Sequence, residues 1–247
     1  EFYRFTSVDS NFNLQQGLIH EMLHARYLVD SYSLNVHGYS LGVRYENGTR
    51  VSTGNDLMHV NSQAPSMMNS EWRFSEWEAA GLNVYAKQRP LPGWLNQNNH
   101  YGNGKYLEYK IPAGNFLRVV DSSGKPVAGA EVQVYQATRV PDSSDPEIIA
   151  ARASDKYIDN VPDITVTTDS TGRASLGANP FAMQEPINGS NFFRCVDYIR
   201  VKAGGKTHDT WLDLAQVHIQ WFRGNTAAAT YDIQLPFEVT STPTPTE

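Results

Sequence analysis

From Asn11 to Val29 the apolar positions Leu14, Leu18, Met22, Ala25 and Val29 recur at the spacing of one helix face. Asn13 followed by Gln16 resembles a capping box, in which an amide three residues on reaches back to a free backbone N–H. A second short helix is predicted from about Ser75 to Leu82, with Ser75 as N-cap, Glu78 at its third position and Gly81 near its end. Between them, Gly42 to Asn61 is punctuated by Gly and Asn, and fragments such as Gly42-Val-Arg-Tyr read as short strands or loop.

The pattern changes after a stretch of breakers: Pro90, Pro92, Gly93, Asn96 to Asn99 and Gly102 to Gly104. Beyond it Phe116-Leu-Arg-Val-Val and Ala130-Glu-Val-Gln-Val-Tyr alternate, separated by the turn Asp121-Ser-Ser-Gly-Lys-Pro. Ile164-Thr-Val-Thr-Thr leads through Asp169-Ser-Thr-Gly to Arg173-Ala-Ser-Leu. Asp197-Tyr-Ile-Arg-Val-Lys, Val217-His-Ile-Gln-Trp-Phe and Ala229-Thr-Tyr-Asp-Ile-Gln-Leu complete a series of strand-like runs. Short strands at turn-marked intervals describe an antiparallel β-sandwich. The expected class is therefore α+β, with a partly helical domain over 1–98, a sandwich over 99–238 and a Thr/Pro-rich linker over 239–247. Such a linker does not pack, and it leads one to expect further domains beyond it.

Composition narrows the partners. At 40% hydrophobic and 19% charged, the 247 residues can bury two cores. A net charge of −6 with no run of Lys or Arg argues against nucleic acid. No stretch approaches the roughly 20 apolar residues of a membrane span. The single cysteine, Cys195, excludes an internal disulfide and sits in an apolar run, as a buried inert thiol does. The chain opens on Glu1, which suggests a processed or excised piece. Asn47-Gly-Thr and Asn188-Gly-Ser fit N-glycosylation acceptors. Trp211, Trp221 and Phe222 alternate with polar neighbours and read as core rather than as a sugar-stacking surface. Asp209 and Asp213 near His208 read as solvated loop rather than as a calcium site.

One motif carries chemistry. In His20-Glu-Met-Leu-His24 the two histidines lie at i and i+4 of the predicted helix, so both imidazoles can face one Zn²⁺. Glu21 is rotated by about 100° from His20 and can act as general base on a water without itself being a ligand. On an unbroken helix Asp30 would stand about 15 Å along the axis from His20, out of reach of the same ion. If the chain leaves the helix near Tyr27, Asp30 can fold back as third ligand. His37, His59, Glu76 and Glu78 are the competitors for that place.

The spacing His20-Glu-x-x-His24-x-x-Tyr27-x-x-Asp30 resembles the extended zinc motif of the metzincin metallopeptidases, in the variant with Asp as third ligand. That clan has Gly where Tyr27 stands. Pro65-Ser-Met-Met-Asn69 is similar to its Met-turn, which implies Met68, or else Met67, as an apolar floor under the metal; Ser70 occupies the position of the clan's tyrosine. The resemblance implies a zinc endopeptidase acting on protein or peptide substrates, extracellular, with zinc on His20, His24 and Asp30 and Glu21 as base. Metzincin domains carry a sheet before the zinc helix, and only 19 residues precede His20, so residues 1–98 are expected to be the back part of a catalytic domain. As an isolated chain it would bind zinc weakly and cleave nothing. A non-catalytic adhesion or binding protein that keeps the zinc helix as a relic is the rival reading. Leu117 to Val134, with its Asp-x-x-Gly turn, and Thr168-Asp-Ser-Thr-Gly172 resemble the carboxypeptidase-regulatory-like, transthyretin-type sandwich, which implies a spacer or binding module.

Overall fold

The computed structural model describes residues 16–24, 28, 30–36, 43–46, 49–52, 57–69, 71–86, 110–138, 158–182 and 195–239. In chain order these form α1 (Gln16–His24), a 3-10 turn (Ser31–Leu34), β1 (Val43–Glu46), β2 (Thr49–Ser52), a second 3-10 turn (Met67–Asn69) and α2 (Glu76–Ala86). There follow β3 (Asn115–Val120), β4 (Glu131–Gln136), β5 (Ile164–Thr167), β6 (Arg173–Gly177), β7 (Val196–Ala203), β8 (Lys206–Asp213), α3 (Leu214–Phe222) and β9 (Ala229–Gln234). The class is α+β. Asn13, Tyr27, His37, Ser70, the boundary near residue 98 and the tail 240–247 lie outside the described residues, as do both glycosylation sequons.

Strands β1 and β2 pair as a hairpin, and the others form two sheets, β6-β3-β9 and β5-β4-β7-β8. Antiparallel pairing holds throughout the four-stranded sheet. It fails at β3–β9, where Asn115–Val120 runs parallel to Ala229–Gln234. Strand direction across so long a connection has no local signature, and alternation alone does not reveal it.

Both Asp-x-x-Gly turns are built alike. Asp121 Oδ1 accepts from the Ser123 and Lys125 amides at 2.9 and 3.0 Å, and Asp169 Oδ1 accepts from those of Thr171 and Arg173 at 2.8 and 3.0 Å. These donors hold both carboxyls below the usual carboxylate range, the Ser123 and Thr171 hydroxyls contributing most. Gly172 has φ of 77°, and a Cβ there would lie 2.5 Å from the Val119 carbonyl oxygen. Only glycine fits both constraints.

Two expectations are corrected. Val217 to Phe222 is not a strand but most of α3. Asp213 caps that helix, accepting from the Gln216 amide at 3.1 Å while Gln216 Oε1 accepts from the Asp213 amide at 2.8 Å. Alternation at 217, 219 and 221 hid a helical stripe of buried Leu214, Ala215, Val217, His218 and Ile219. Gly81, expected near a helix end, lies inside α2, which continues to Ala86. A Cβ on it would stand 3.0 Å from Leu28 Cδ2, so the missing side chain lets Leu28 pack closely against the helix.

Leu117, Val132, Val134, Ile199, Val201, Leu212 and Ile233 from the two sheets share one apolar cluster, which also takes in Leu34, Val36, Leu57 and Trp77 from the first part of the chain. Cys195 is buried in it. Trp77 Nε1–H donates to His218 Nδ1 at 3.0 Å, and Arg223 pairs with Glu76. Among the described residues no helix is long and apolar enough to cross a membrane.

Candidate metal centre

The site begins with α1, which sets His20 and His24 one turn apart on one face, their rings edge-to-face with centroids 4.8 Å apart. Each ring is oriented by a backbone carbonyl: His20 Nδ1 lies 3.1 Å from Met67 O, and His24 Nδ1 lies 2.9 Å from Leu28 O. A carbonyl only accepts, so each Nδ1 carries a proton and, in the neutral ring, each Nε2 presents a lone pair.

Those lone pairs converge. The two Nε2 atoms are 3.2 Å apart, and Asp30 Oδ1 lies 3.0 Å from the first and 3.4 Å from the second. Asp30 Oδ1 is shielded from solvent and has no hydrogen-bond partner. Three acceptors this close repel one another unless a cation or a shared proton sits among them. Four ligands placed tetrahedrally around a metal at about 2.0–2.2 Å stand about 3.3–3.6 Å from one another. The donor set and its spacing therefore fit a metal ion.

Without a metal, protonation of His24 answers the same need. Once protonated, His24 can donate to the Asp30 carboxylate, and this raises the His24 pKa against the opposing effect of burial. Burial pushes the Asp30 carboxyl up, but hydrogen bonds from His24 and Tyr32 and the charges of His24 and His20 outweigh it and leave Asp30 lowered. Burial, then the hydrogen bond and charge of Asp30, push the Tyr32 phenol up to about 12.

Glu21 stands one residue along α1, exposed, and its carboxylate, with the two imidazoles, offers ligand atoms all within 4.8 Å of one another. It is more open than Asp30, which leaves it free to act on a bound water.

Asp30 reaches the imidazoles because the chain turns back after α1. The Leu28 amide donates to Leu23 O at 3.2 Å, and the Leu28 side chain is buried against Gly81. Asp30 then precedes the turn Ser31–Leu34. Ser31 Oγ donates to Ala64 O at 3.1 Å, and Leu34 and Val36 are fully buried. Val36 and His59 exchange both backbone hydrogen bonds at 2.9 Å.

Among the described residues, the competitors for the third position are engaged elsewhere. His59 Nε2 lies 2.8 Å from Asp213 Oδ2, its ring stacked on Trp211. Glu76 pairs with Arg223. Glu78 is buried, its Oε1 accepting from the Met68 amide at 2.7 Å and its Oε2 from the Ser75 amide at 2.6 Å. Both methionines are buried; the turn Met67–Asn69 packs on α1, and it is the Met67 carbonyl that orients His20. Asp209 pairs with Arg200.

Sequence reasoning missed the outer partners, Met67 O and Leu28 O, because backbone acceptors leave no trace in residue identity. It also missed the second duty of Glu78. A capping carboxylate has an oxygen to spare, and here that oxygen anchors the turn beside the metal cluster.

No family model matches the chain, and no curated protein does. Solved structures that match include the dioxygenase domain of a dioxygenase carbohydrate-binding protein fusion from the cellulolytic bacterium Streptomyces sp. SirexAA-E, at 15% identity over 52% of this chain and 81% of that one, with a TM-score of 0.28. Catechol 1,2-dioxygenase from Pseudomonas arvilla C-1 matches at 16% identity over 53% and 54%, TM-score 0.24. (S)-allantoin synthase matches at 10% identity over 95% and 72%, TM-score 0.32. Likenesses this slight carry no argument about what the chain does.

Proposed function

We propose that the protein is a secreted zinc metallopeptidase of metzincin type, hydrolysing peptide bonds in protein or peptide substrates, with a transthyretin-type β-sandwich beside its catalytic part. The observation that carries the reading is the convergence of His20 Nε2, His24 Nε2 and Asp30 Oδ1 at 3.0–3.4 Å, with Glu21 alongside. Two neutral imidazoles and one carboxylate are a donor set suited to catalytic zinc, because three protein ligands leave a coordination position open. When bound there, zinc supplies a Lewis acid that polarises a peptide carbonyl and acidifies water.

The chain's own residues supply the rest. Met67 O and Leu28 O fix the tautomer and aim of the two rings, as outer partners of metal-binding histidines do. Glu21 accepts the proton of the attacking water and delivers it to the leaving amine. The shared apolar core of the two sheets supports the sandwich reading and gives the catalytic part a rigid neighbour.

Metal analysis of dialysed protein is the test, with wild type beside His24→Ala, Asp30→Ala and Glu21→Gln. One zinc per chain is expected in wild type and Glu21→Gln, and none in the other two. Hydrolysis of an unstructured protein such as casein should fall about 10²- to 10⁴-fold in Glu21→Gln. Wild type without zinc would end the metallopeptidase reading. Tightly bound zinc with no hydrolysis would fit both a catalytic part that lacks its front sheet and the binding protein with a relic zinc helix.

A further inference from the structure

The outer face of the sheet β6-β3-β9 carries a cation whose guanidinium forms no ion pair among the described residues. Alternation sends Leu117, Val119, Ala174, Leu176, Tyr231 and Ile233 into the core, so Phe116, Arg118, Arg173, Thr230 and Asp232 face outward. Register sets Arg118 between Arg173 of β6 and Asp232 of β9, with Phe116 beside Thr230.

The two arginines differ. Arg118 forks onto Asp232, Nε to Oδ1 at 2.8 Å and Nη2 to Oδ2, and so takes both oxygens of that carboxylate. Arg173 lies with its guanidinium carbon 4.3 Å from the Phe116 ring centre, and Nη2 makes a long 3.5 Å contact to Thr230 Oγ1. Its Nε is shielded from solvent with no hydrogen-bond partner, and Arg173 forms no ion pair among the described residues. Stacking holds the fork flat, and its donors are incompletely used. Arg118, Arg173, Thr230 and Asp232 line an open depression of about 390 Å³.

We propose that this depression binds a small monocarboxylate, with Arg173 as the bidentate anchor and the Thr230 hydroxyl as a second donor. The pairing selects the ligand. Arg118 and Asp232 pair with each other, whereas Arg173 feels the charge of Asp169, which sits on its backbone amide, without pairing its guanidinium fork to any carboxylate, so one carboxylate ligand fills that fork. A doubly charged phosphate would face the Asp232 carboxylate across the same space. Planar fork-to-carboxylate pairing is also the geometry an Arg held flat by stacking favours. The site stands or falls independently of the zinc cluster.

The experiment follows arginine Nε–H signals of the ¹⁵N-labelled full chain by NMR while sodium acetate or inorganic phosphate is added at constant ionic strength. Acetate is expected to shift the Arg173 signal saturably, and phosphate to bind more weakly. Arg173→Gln should weaken acetate binding about tenfold or more, read from neighbouring backbone amides. Asp232→Asn releases Arg118 as a second cation, so it should tighten acetate binding and admit phosphate, a gain that a misfolded variant would not show. No saturable shift with acetate, tighter binding of phosphate than of acetate to wild type, or weaker anion binding in Asp232→Asn would each overturn the proposal.

Discussion

The part of the chain around the His20–His24–Asp30 cluster and the part built from β3–β9 are held together by different physics. In the second, side chains alternate into a continuous apolar core, backbone ladders satisfy the strands, and two Asp-x-x-Gly turns close their own loops. In the first, α1 has no buried residue at all, and the cluster is fixed by single hydrogen bonds, accepted by the Met67 and Leu28 carbonyls and the Glu78 carboxylate and donated by Ser31. What rigidity the cluster has is therefore borrowed. It reaches the cluster through α2, whose Trp77 is buried in the shared core and hydrogen-bonds His218, and through His59, which joins the strand-like bridge at Val36 to Asp213. A precise site on an under-packed helix has to lean on a core built elsewhere.

The largest effect should come from cutting that connection. Trp77 is 4% exposed, and Trp77→Ala removes both its packing and its bond to His218. A loss of about 3–5 kcal/mol is expected. Calorimetry should show one transition at lower temperature, because both parts share the core that is damaged. Should the endotherm split in two, with the second near its original position, the parts are independent and the borrowing argument fails.

How much of this contrast could be read beforehand follows the same division. His20, His24 and Glu21 are proposed from spacing, and Asp30 from a spacing that only a broken helix makes sense of; the structure brings their side chains together. Ser75 and Glu78 declare the start of α2, because capping is local chemistry. Asp121, Gly124, Asp169 and Gly172 declare their turns for the same reason. Lys206–Asp213 did not read as a strand, since β8 is buried only at its last two residues and lacks an apolar rhythm. Val217 to Phe222 satisfied a period of two and a period of 3.6 alike, and the deciding signal, Asp213 three residues before Gln216, lay outside the run. The parallel contact of β3 with β9, and the use of Leu28 and Met67 carbonyls, belong to tertiary structure and leave no local mark.

The β-rich part buries an unpaired carboxyl, and removing its charge should produce the next largest effect. Asp197 is fully buried, and neither carboxylate oxygen has a hydrogen-bond partner. Burial first, and the charge of Asp163 second, raise its pKa well above the ordinary 3.8. The folded state thus keeps a proton that the unfolded chain has already released, and stability falls as pH climbs from about 3.8 through the raised value. Asp197→Asn carries no charge and should be more stable by about 1–3 kcal/mol at pH 7. Urea unfolding at several pH values checks this: the advantage should shrink as pH falls toward 4. An advantage that persists unchanged there would trace to packing and leave the carboxyl without a role in the pH dependence.

The smallest effect on stability, and the most direct test of how α2 braces the cluster, lies at Gly81. Alanine inside a helix is favoured over glycine by about 1 kcal/mol. The added Cβ would meet Leu28 Cδ2 at 3.0 Å, closer than ordinary contact, so Leu28 must give way. The two effects oppose each other, and Gly81→Ala should unfold within about 0.5 kcal/mol of wild type. Zinc should respond differently. The Leu28 carbonyl aims His24 Nδ1 at 2.9 Å, and losing such an outer partner outright costs roughly 10- to 100-fold in metal affinity. A displacement of part of an ångström should then weaken zinc binding about 3- to 10-fold, measured by competition with a chelating dye. A higher melting temperature with unchanged zinc affinity would mean that the Leu28 side chain turns aside without moving its backbone. In that case the cluster is braced through Met67, Glu78, Ser31 and Val36, and the contact between the Leu28 side chain and α2 is packing without consequence for the metal.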